Sequence, residues 1–495
     1  MRRATFRTEH WLTLLTLLAL AARLVFLLAF DNVFSHEGES YSKINLVRTW
    51  IENGKPYPDI NFGPLHTWLI YALFRLFGDW IWPVRLFGLL AGTATVPLFF
   101  LLVKKEFDAR IAVVAALLFA FFPTHLRASP TGLAETPYLL ALVGALLAFF
   151  TAFGERRGAR WWQLTAAAAA ITAAGMLRFE AWLFLPVLCL LMLRRSFWMA
   201  AWFGALTAIF PLVHMFFCWR ATGHPMSFAE TSALSFLQYM PDLPLKEKAL
   251  GWPLSLGLGM GYAAFALGVV GIFIAAARRR KLSFAALLVF PLAIMQYKAL
   301  TNTMDPSLER YVISLGTFLF AYAGFALVAL DERLLRWRGW RQASLVVAIL
   351  LASWQFAWGW VQADKNQYDD DIRHVVEWLH DHSDAADRVL LDQRFHPYAQ
   401  IESRLPLAQF VDLRWSPDRK QLDEKAFTEL ISKRPPTIVV LDYFLIGTDM
   451  VNSNLDVFRV SRGAEETTSR GLRFRKAFAE GDFVIYRTSP AEASP

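Results

Sequence analysis

Cysteine and charge are both scarce in this chain. Its 495 residues include two cysteines, Cys189 and Cys218, and both lie in or beside apolar runs. With no C-x-x-C pair, a disulfide scaffold and a cysteine-based zinc or redox site are excluded. Charged residues make up 19% of the chain, against about 25% in soluble domains. A single water-soluble core is therefore excluded as well.

Apolar residues are abundant and clustered. They form 56% of the chain, and long runs of Leu, Ala, Phe and Val recur up to about residue 360 and then stop. This pattern predicts a polytopic α-helical membrane protein with a water-soluble tail. The net charge of +8 lies in short basic clusters between apolar runs, which is how membrane proteins set their orientation, so we expect no nucleic-acid partner.

The apolar runs predict about eleven membrane spans, each of roughly 20 residues. We place them near 11–30, 82–103, 110–125, 135–153, 161–177, 181–194, 197–217, 253–277, 282–300, 311–330 and 343–360. Every second connection is basic, as in Lys104-Lys105 and Arg278–Lys281, which predicts a cytoplasmic N-terminus and an extracytoplasmic C-terminus. The alternation holds if the apolar stretch His66–Phe77, which contains Arg75, is an interfacial helix in the outer loop 31–81 and not a span.

Residues 362–495 form a separate soluble unit, so the membrane domain is predicted to cover 1–361. Helical patterns at 369–382 and 423–433 alternate with apolar runs that read as strands, which indicates an α/β fold. The predicted strands are 388–392, 437–442, 472–478 and 482–487, the last two forming a hairpin. The unit has no G-x-G-x-x-G or P-loop sequence, so no nucleotide site is predicted there.

The first outer loop carries two carboxylates, Glu37 and Glu39, just beyond the first span. A partly buried carboxylate at that depth can act as a general base, because burial raises its pKa toward the working range. The simpler interpretation is a hydrated helix start, where Glu and Ser are common caps. His36 beside them could ligate a metal, although a single histidine is more often a hydrogen-bonding surface residue.

Further charged residues follow at predicted outer span ends. Glu135 opens the fourth span, and Arg178 and Glu180 lie between two later spans; a helix-start carboxylate and a structural ion pair are the simpler interpretations. Arg85 and Arg310 also open spans, and Arg23 lies inside the first span. We expect Arg85, Arg178 and Arg310 to converge on one outward-facing site, which would suit an anionic, lipid-borne substrate.

The order of these motifs resembles the GT-C membrane glycosyltransferases, which include protein O-mannosyltransferases and lipid A aminoarabinose transferases. The resemblance covers nearly the whole membrane part, and each of its motifs is weak alone. The matching segments are the acidic first loop, Phe62–Leu69, Phe77-Gly78, Val84–Leu86, Gly132–Pro137, Leu177–Ala181, Gly223–Pro225 with Phe228, and Glu309–Val312. On these segments the resemblance implies His66, Arg85, Arg178, Glu180, His224, Arg310 and Tyr311 as substrate-binding residues.

The first loop departs from the family pattern. Members usually carry Asp-Glu between a histidine and a tyrosine, whereas this chain has His36-Glu37-Gly38-Glu39-Ser40-Tyr41. The resemblance implies that a carboxylate of this loop is the catalytic base. Alignment on Tyr41 favours Glu39, while the longer reach of Glu37 lets it replace the missing Asp; we prefer Glu37, with Glu135 as the next candidate.

The resemblance also implies the reaction. A sugar passes, with inversion, from a polyprenyl-phosphate donor in the bacterial inner membrane to an extracytoplasmic glycan, lipid or protein. Arginines such as Arg85, Arg178 and Arg310 would bind the leaving phosphate. No cofactor is required by this scheme, although a divalent cation held by a first-loop glutamate and Glu135 is an alternative. The competing functions are a lipid-linked sugar transporter or flippase, and an inactive protein that binds sugar lipids.

Overall fold

The computed structural model describes most of the chain. The described residues are 8–30, 39–54, 62–154, 161–229, 244–278, 282–301, 303–304, 306, 309–334, 343–365, 370–391, 396–411, 424–443, 455 and 458–491.

Within the described residues the chain is mainly helical and has one small sheet. The helices are α1 Thr8–Ala29, α2 Glu39–Asn53, α3 Pro64–Phe77, α4 Trp82–Glu106, α5 Ala109–Ala120, α6 Pro123–Ala128, α7 Glu135–Gly154, α8 Trp161–Leu177, α9 Leu185–Leu193, α10 Phe197–Thr222, α11 Leu245–Met260, α12 Tyr262–Ala277, α13 Ser283–Leu300, α14 Ile313–Leu334, α15 Ala343–Lys365, α16 Asp370–His382, α17 His396–Glu402 and α18 Glu424–Lys433. Short 3₁₀ helices occupy Phe179–Phe184 and Glu309–Val312. The strands are β1 Val389–Leu391, β2 Ile438–Asp442, β3 Glu466–Ser469, β4 Leu472–Glu480 and β5 Phe483–Pro490.

The chain divides into two compact units. The first, which we call the membrane unit, contains Met1–Val33, Tyr57–Phe236 and Asp242–Lys365. The second, the C-terminal unit, contains Phe34–Pro56, Leu237–Pro241 and Asn366–Pro495. The prediction assigned the whole loop 31–81 to the membrane domain. In the structure, helix α2 of that loop clusters with the C-terminal unit instead.

The membrane unit has several helices of membrane-spanning length. Among the described residues, seven helices are long and apolar enough to cross a bilayer, and an eighth is added if α11 and α12 count as one span. Two shorter apolar helices, Ala109–Ala120 and Phe179–Leu193, lie where further spans are predicted. The total of about eleven therefore stays a prediction.

The predicted span 253–277 is broken in the structure. Helices α11 and α12 meet at Gly261 with a bend of 115°, and Gly261 has φ +83°, a left-handed value that favours glycine. A break inside an apolar unit exposes backbone carbonyls that need hydrogen-bond donors. Side chains supply them: Trp358 donates to the carbonyl of Leu258 (2.9 Å), Thr124 to that of Gly259 (3.1 Å) and Gln355 to that of Met260 (2.7 Å).

Small residues allow the central helices to approach closely. Gly268 of α12 lies against the backbone carbonyl of Leu319 in α14, and one turn later Gly271 lies against that of Tyr322. An added Cβ at Gly268 would stand 2.9 Å from the Leu319 carbonyl oxygen, so the two helices could not keep this distance with a larger residue.

The C-terminal unit contains a five-stranded sheet in the order β1-β2-β5-β4-β3. Strands β1 and β2 pair in parallel, and the remaining neighbours are antiparallel. Helices α16 and α18 and the strands β1, β2, β4 and β5 confirm the predicted elements to within a few residues. Strand β3 is an addition: its sequence Glu-Thr-Thr-Ser is polar and half exposed, so it lacks the apolar run that identified the other strands.

Candidate functional site

A buried ion pair joins two of the predicted site residues. A guanidinium nitrogen of Arg178 donates to the carboxylate of Glu135, the first residue of α7. Arg178 also binds Glu180 through both of its other nitrogens, Nη2 to Oε1 at 2.5 Å and Nε to Oε2 at 3.3 Å. The side chain of Glu135 is fully buried and that of Arg178 is 8% exposed. In such a setting each charge depends on its partner, because an unpaired buried charge is costly.

Local backbone geometry places Arg178 at this point. The helix α8 ends at Leu177, and Arg178 is extended (φ −148°, ψ 133°) before the 3₁₀ helix that contains Glu180. Gly63, which immediately precedes α3, lies against the carbonyl groups of Met176 and Leu177. A Cβ at position 63 would lie 2.6 Å from the Leu177 oxygen, so only glycine permits this approach. The Phe62–Leu69 motif thus supports the segment that presents Arg178.

The aromatic ring of Tyr311 connects Arg178 to Arg310. Both guanidinium groups lie over this ring, each with its central carbon 5.3 Å from the ring centroid. The π face of the ring offsets part of the repulsion between these two cations, so they can lie close together. Lys298, near the end of α13, interacts electrostatically with Glu180 and adds a third cation. We call Glu135, Arg178, Glu180, Lys298, Arg310 and Tyr311 the charged cluster.

A second ion pair lies next to the charged cluster along the chain. Glu309, the residue before Arg310, accepts a hydrogen bond from Arg127 at 2.7 Å. Thr124 of α6 approaches Glu309 (3.5 Å) and donates to the carbonyl of Gly259 at the helix break. The α6 segment therefore holds both the Arg310 backbone and the broken helix in place.

Arg85 has different partners from Arg178 and Arg310. Its Nε donates to the carbonyl of Pro130 (2.9 Å), and its Nη2 donates to that of Phe30 (3.0 Å). Its guanidinium also lies over the ring of Trp82, 5.0 Å from the centroid. These contacts tie the end of α1 to the segment that leads into α7. The guanidinium groups of Arg178 and Arg310 thus meet on one ring, while the convergence of all three arginines on one outward-facing phosphate site stays a prediction.

The two predicted histidines lie in contrasting places. His66 is buried in α3, which packs on α4 and α8, whereas His224 is exposed just after α10, which is capped by Gly223. A histidine that the sequence analysis missed, His214 of α10, is buried and contacts the ring of Phe179 at 4.7 Å between centroids. Phe179 follows Arg178 directly, so the contact of His214 with Phe179 supports the segment that carries Arg178. Because His214 lies inside a long apolar run, its sequence context did not distinguish it as a candidate functional residue.

A buried arginine network also went unassigned from sequence, although Arg23 itself was noted. Arg23 is fully buried, and it donates to Ser129 (3.0 Å) and to the carbonyls of Ala19 (3.0 Å) and Ala120 (3.3 Å). Its Nη2 lies 2.9 Å from Nδ1 of His125. Serine, histidine and carbonyl partners replace the carboxylate that a buried arginine would otherwise need. The network fixes α6, which also carries Arg127.

The two carboxylates of the first outer loop lie at the edge of the part of the chain that the structure describes. Glu37 lies outside the described residues, and Glu39 is described as the first residue of α2 by its backbone alone. His36 also lies outside them. In the described part of the chain, no three His, Cys, Asp or Glu side chains come together to hold a metal ion. The base and the cation therefore both stay predictions.

Comparison with known proteins gives a family match over about a third of the chain, and a fold. Residues 58–219 match the family described as dolichyl-phosphate-mannose-protein mannosyltransferase. No curated protein sequence matches the chain.

Two solved structures are similar over most of the chain. ArnT from Cupriavidus metallidurans bound to undecaprenyl phosphate aligns with 14% identity and a TM-score of 0.67, covering 98% of this chain and 99% of that one. AglB, an oligosaccharyltransferase from Archaeoglobus fulgidus, in complex with an inhibitory peptide and a dolichol-phosphate, aligns with 15% identity and a TM-score of 0.56. That alignment covers 89% of this chain and 70% of AglB. At these identities the likeness shows the fold, and it confirms the predicted fold class. With the family match, it also confirms the resemblance drawn from the sequence motifs.

Proposed function

We propose that this GT-C superfamily membrane glycosyltransferase moves a sugar from a polyprenyl-phosphate donor to an acceptor outside the cytoplasm. The observation that carries the proposal is the charged cluster, in which Arg178 and Arg310 share the ring of Tyr311. Similar proteins have been solved with lipid phosphates: undecaprenyl phosphate on ArnT and dolichol-phosphate on AglB. We take a phosphate of this kind as the donor headgroup here.

The charged cluster has the chemistry to bind a leaving phosphate. When the glycosidic bond breaks, negative charge develops on the phosphate oxygens, and cations already held in place stabilise it without reorganising. Arg178 is held by Glu135 and Glu180, so its guanidinium is fixed before the donor arrives. Arg310 supplies further positive charge on the same ring, and Lys298 interacts electrostatically with Glu180. His66, His224 and Arg85 remain proposed donor or acceptor contacts.

The acceptor hydroxyl needs a base, and we assign that role to the first outer loop, with Glu37 preferred and Glu39 as the alternative. Glu135 is a weaker candidate, because its buried carboxylate is already paired with Arg178. For the same reason we leave a divalent cation shared between the first loop and Glu135 out of the proposed step. The base takes the hydroxyl proton as the oxygen attacks the anomeric carbon, and the phosphate leaves with the bonding electrons.

The orientation is part of the proposal. We place the protein in the bacterial inner membrane with the N-terminus in the cytoplasm and the C-terminal unit outside. Single cysteines introduced in the 31–81 loop should react with an impermeant thiol reagent added from outside, and cysteines at Lys104 and Lys105 should not. Labelling of positions 104 and 105 from outside would contradict this orientation.

The transporter alternative would use the broken helix between α11 and α12, since discontinuous helices often bind substrates in transporters. In this chain the three carbonyls at the break, those of Leu258, Gly259 and Met260, are already hydrogen-bonded to side chains. They are therefore engaged in the fold, and we favour transfer over transport.

Donor binding tests the proposal directly. We expect Arg178→Lys and Arg310→Lys to weaken binding of a labelled polyprenyl-phosphate sugar by about 10- to 100-fold, the equivalent of one lost charged hydrogen bond. A lysine keeps the charge but loses the planar fork that binds two oxygens. Lys476→Gln, a surface change in the C-terminal unit, is the control. Unchanged affinity in both arginine variants would contradict the assigned phosphate site.

A further inference from the structure

In sequence, helix α2 is more than 300 residues away from residues 366–495, yet it clusters with them in the C-terminal unit. Four of its side chains, Tyr41, Ile44, Val47 and Trp50, recur every three residues and are at most 1% exposed. The same helix is polar overall, and its sequence alone indicates a surface helix. Its partner within the unit is α17, together with the turn that follows α17.

Three polar side chains of α2 attach it to this partner. Tyr41 donates to a carboxylate oxygen of Glu402 at 2.9 Å, and its ring meets that of Tyr398 edge to face, 5.4 Å between centroids. Asn45 donates to the side-chain oxygen of Gln400 at 2.5 Å.

Arg48 makes the third attachment and spans the end of α17. Its Nη1 donates to the backbone carbonyl of Gln400 (2.6 Å), and its Nη2 donates to that of Leu405 (3.0 Å). The turn can offer both carbonyls because Arg404 adopts a left-handed conformation with φ +58°. One planar guanidinium thus donates to two carbonyls on either side of the turn through two separate nitrogens, a fixed geometry that a lysine ammonium lacks.

The receiving segment is itself tied to the sheet. His380 of α16 lies with its Nδ1 2.9 Å from the carbonyl of Ser403, one residue after α17. Helix α16 packs in turn on β4 and β5. The segment to which α2 is attached is therefore connected, through α16, to the sheet of the C-terminal unit.

We infer that the C-terminal unit positions the catalytic loop, with Tyr41, Asn45 and Arg48 as positioning residues. Glu39 is the first residue of α2, and Glu37 stands two positions before it in the sequence, so the attachment fixes the backbone at Glu39, the end of the helix from which the chain leads back to Glu37. The inference rests on the proposed function, in which one of these carboxylates is the base. It gives the C-terminal unit a task in catalysis, which is to hold the base in the correct position for the acceptor hydroxyl.

Two measurements on the full-length protein test this role. The first is hydrogen exchange of the α2 amides in Arg48→Lys and Tyr41→Phe, which should become faster while exchange in β4 and β5 is unchanged. The second is turnover: kcat should fall, by up to about 100-fold for a misplacement of roughly 1 Å, while the affinity for the donor stays the same. Lys433→Gln, a change at an exposed pair on α18, should alter neither quantity.

A double-variant comparison adds a check on the specific contact. If the Tyr41–Glu402 hydrogen bond acts during turnover, Tyr41→Phe combined with Glu402→Ala should lose no more activity than the worse single variant.

Three outcomes would overturn the inference, and they differ from one another. Unchanged exchange of α2 in the Arg48 variant would show that the attachment does not hold the helix. Unchanged kcat in a variant whose α2 has loosened would show that the attachment has no catalytic role. A wild-type protein with normal exchange but no transfer activity would overturn the proposed function, and the positioning role with it.

Discussion

Arg178 and Glu135 form a buried ion pair between the end of α8 and the start of α7, 43 positions apart in sequence. The pair also connects to Glu180 and, through the ring of Tyr311, to Arg310. Its geometry gives Glu135 a clear task, which is to hold and neutralise an arginine in an apolar unit.

Breaking this pair should destabilise the protein. We expect Glu135→Gln to lower the free energy of unfolding by about 3–5 kcal/mol, because it leaves the Arg178 charge buried with one partner fewer. The measurement is the thermal unfolding midpoint of the purified protein in detergent. Glu332→Gln breaks an exposed pair with Arg278 and should change the midpoint little. Equal stability of Glu135→Gln and wild type would contradict the assigned role of Glu135.

A glycine at the start of α3 offers a second test. Gly63→Ala would place a Cβ 2.6 Å from the carbonyl oxygen of Leu177, and backbone atoms cannot yield as a side chain can. We expect a loss of about 1–3 kcal/mol of stability, typical of overpacking, together with weaker donor binding because Arg178 follows Leu177. Gly144→Ala is the matched control, since its Cβ would meet only Leu98 at 3.9 Å. A Gly63→Ala protein with normal stability and donor binding would show that this close approach is not needed.

The sequence predicted the helices that are marked by long apolar runs. Apolar runs located α1, α4, α7, α10 and α13 to within a few residues, because a bilayer selects for run length and hydropathy alone. The break at Gly261 was missed, since the hydropathy of an apolar run is the same whether the helix is straight or bent by 115°. Its stabilising donors, such as Trp358 and Gln355, come from a helix about 100 residues later.

Among the contacts of the charged cluster, the sequence predicted the Arg178–Glu180 ion pair but not the pairing of Arg178 with Glu135. Charges in apolar surroundings drew attention to Glu135, Arg178 and Arg310, and the structure brings these together. The partners of Arg85 are backbone carbonyls, which carry no residue-specific signal. The attachment of α2 to α17 was likewise invisible, because it depends on contacts across more than 350 positions.

The pH dependence of the C-terminal unit should report on Asp387. Burial alone would raise the pKa of this carboxyl, but hydrogen bonds from Thr437, the Asp384 amide and Arg487 outweigh burial and lower the pKa below its ordinary value of 3.8. A carboxyl with a lowered folded-state pKa contributes stability that is present above pH 3.8 and is lost as the pH falls through the folded-state value.

Asp387→Asn removes that contribution. We expect the variant to lose about 1–3 kcal/mol at pH 7, measured by hydrogen exchange of the β1 and β2 amides. Its difference from wild type should shrink below pH 3.8, because wild type loses the same interactions there. Asp482→Asn, at an exposed pair with Arg462, is the control and should show little change. A deficit for Asp387→Asn that persists unchanged in acid would contradict this account.

Sugar transfer with a first-loop glutamate as base can be tested in a single assay. Purified wild type, Glu37→Gln, Glu39→Gln and the double variant are compared for transfer from a labelled polyprenyl-phosphate sugar, with donor binding measured in parallel. We expect transfer by wild type and a loss of about 10²- to 10⁴-fold in rate for the variant that lacks the base, with donor binding retained. Glu37→Gln is the variant for which we expect this loss first. Full transfer by both single variants and the double variant would contradict it, and would direct the search for the base to Glu135.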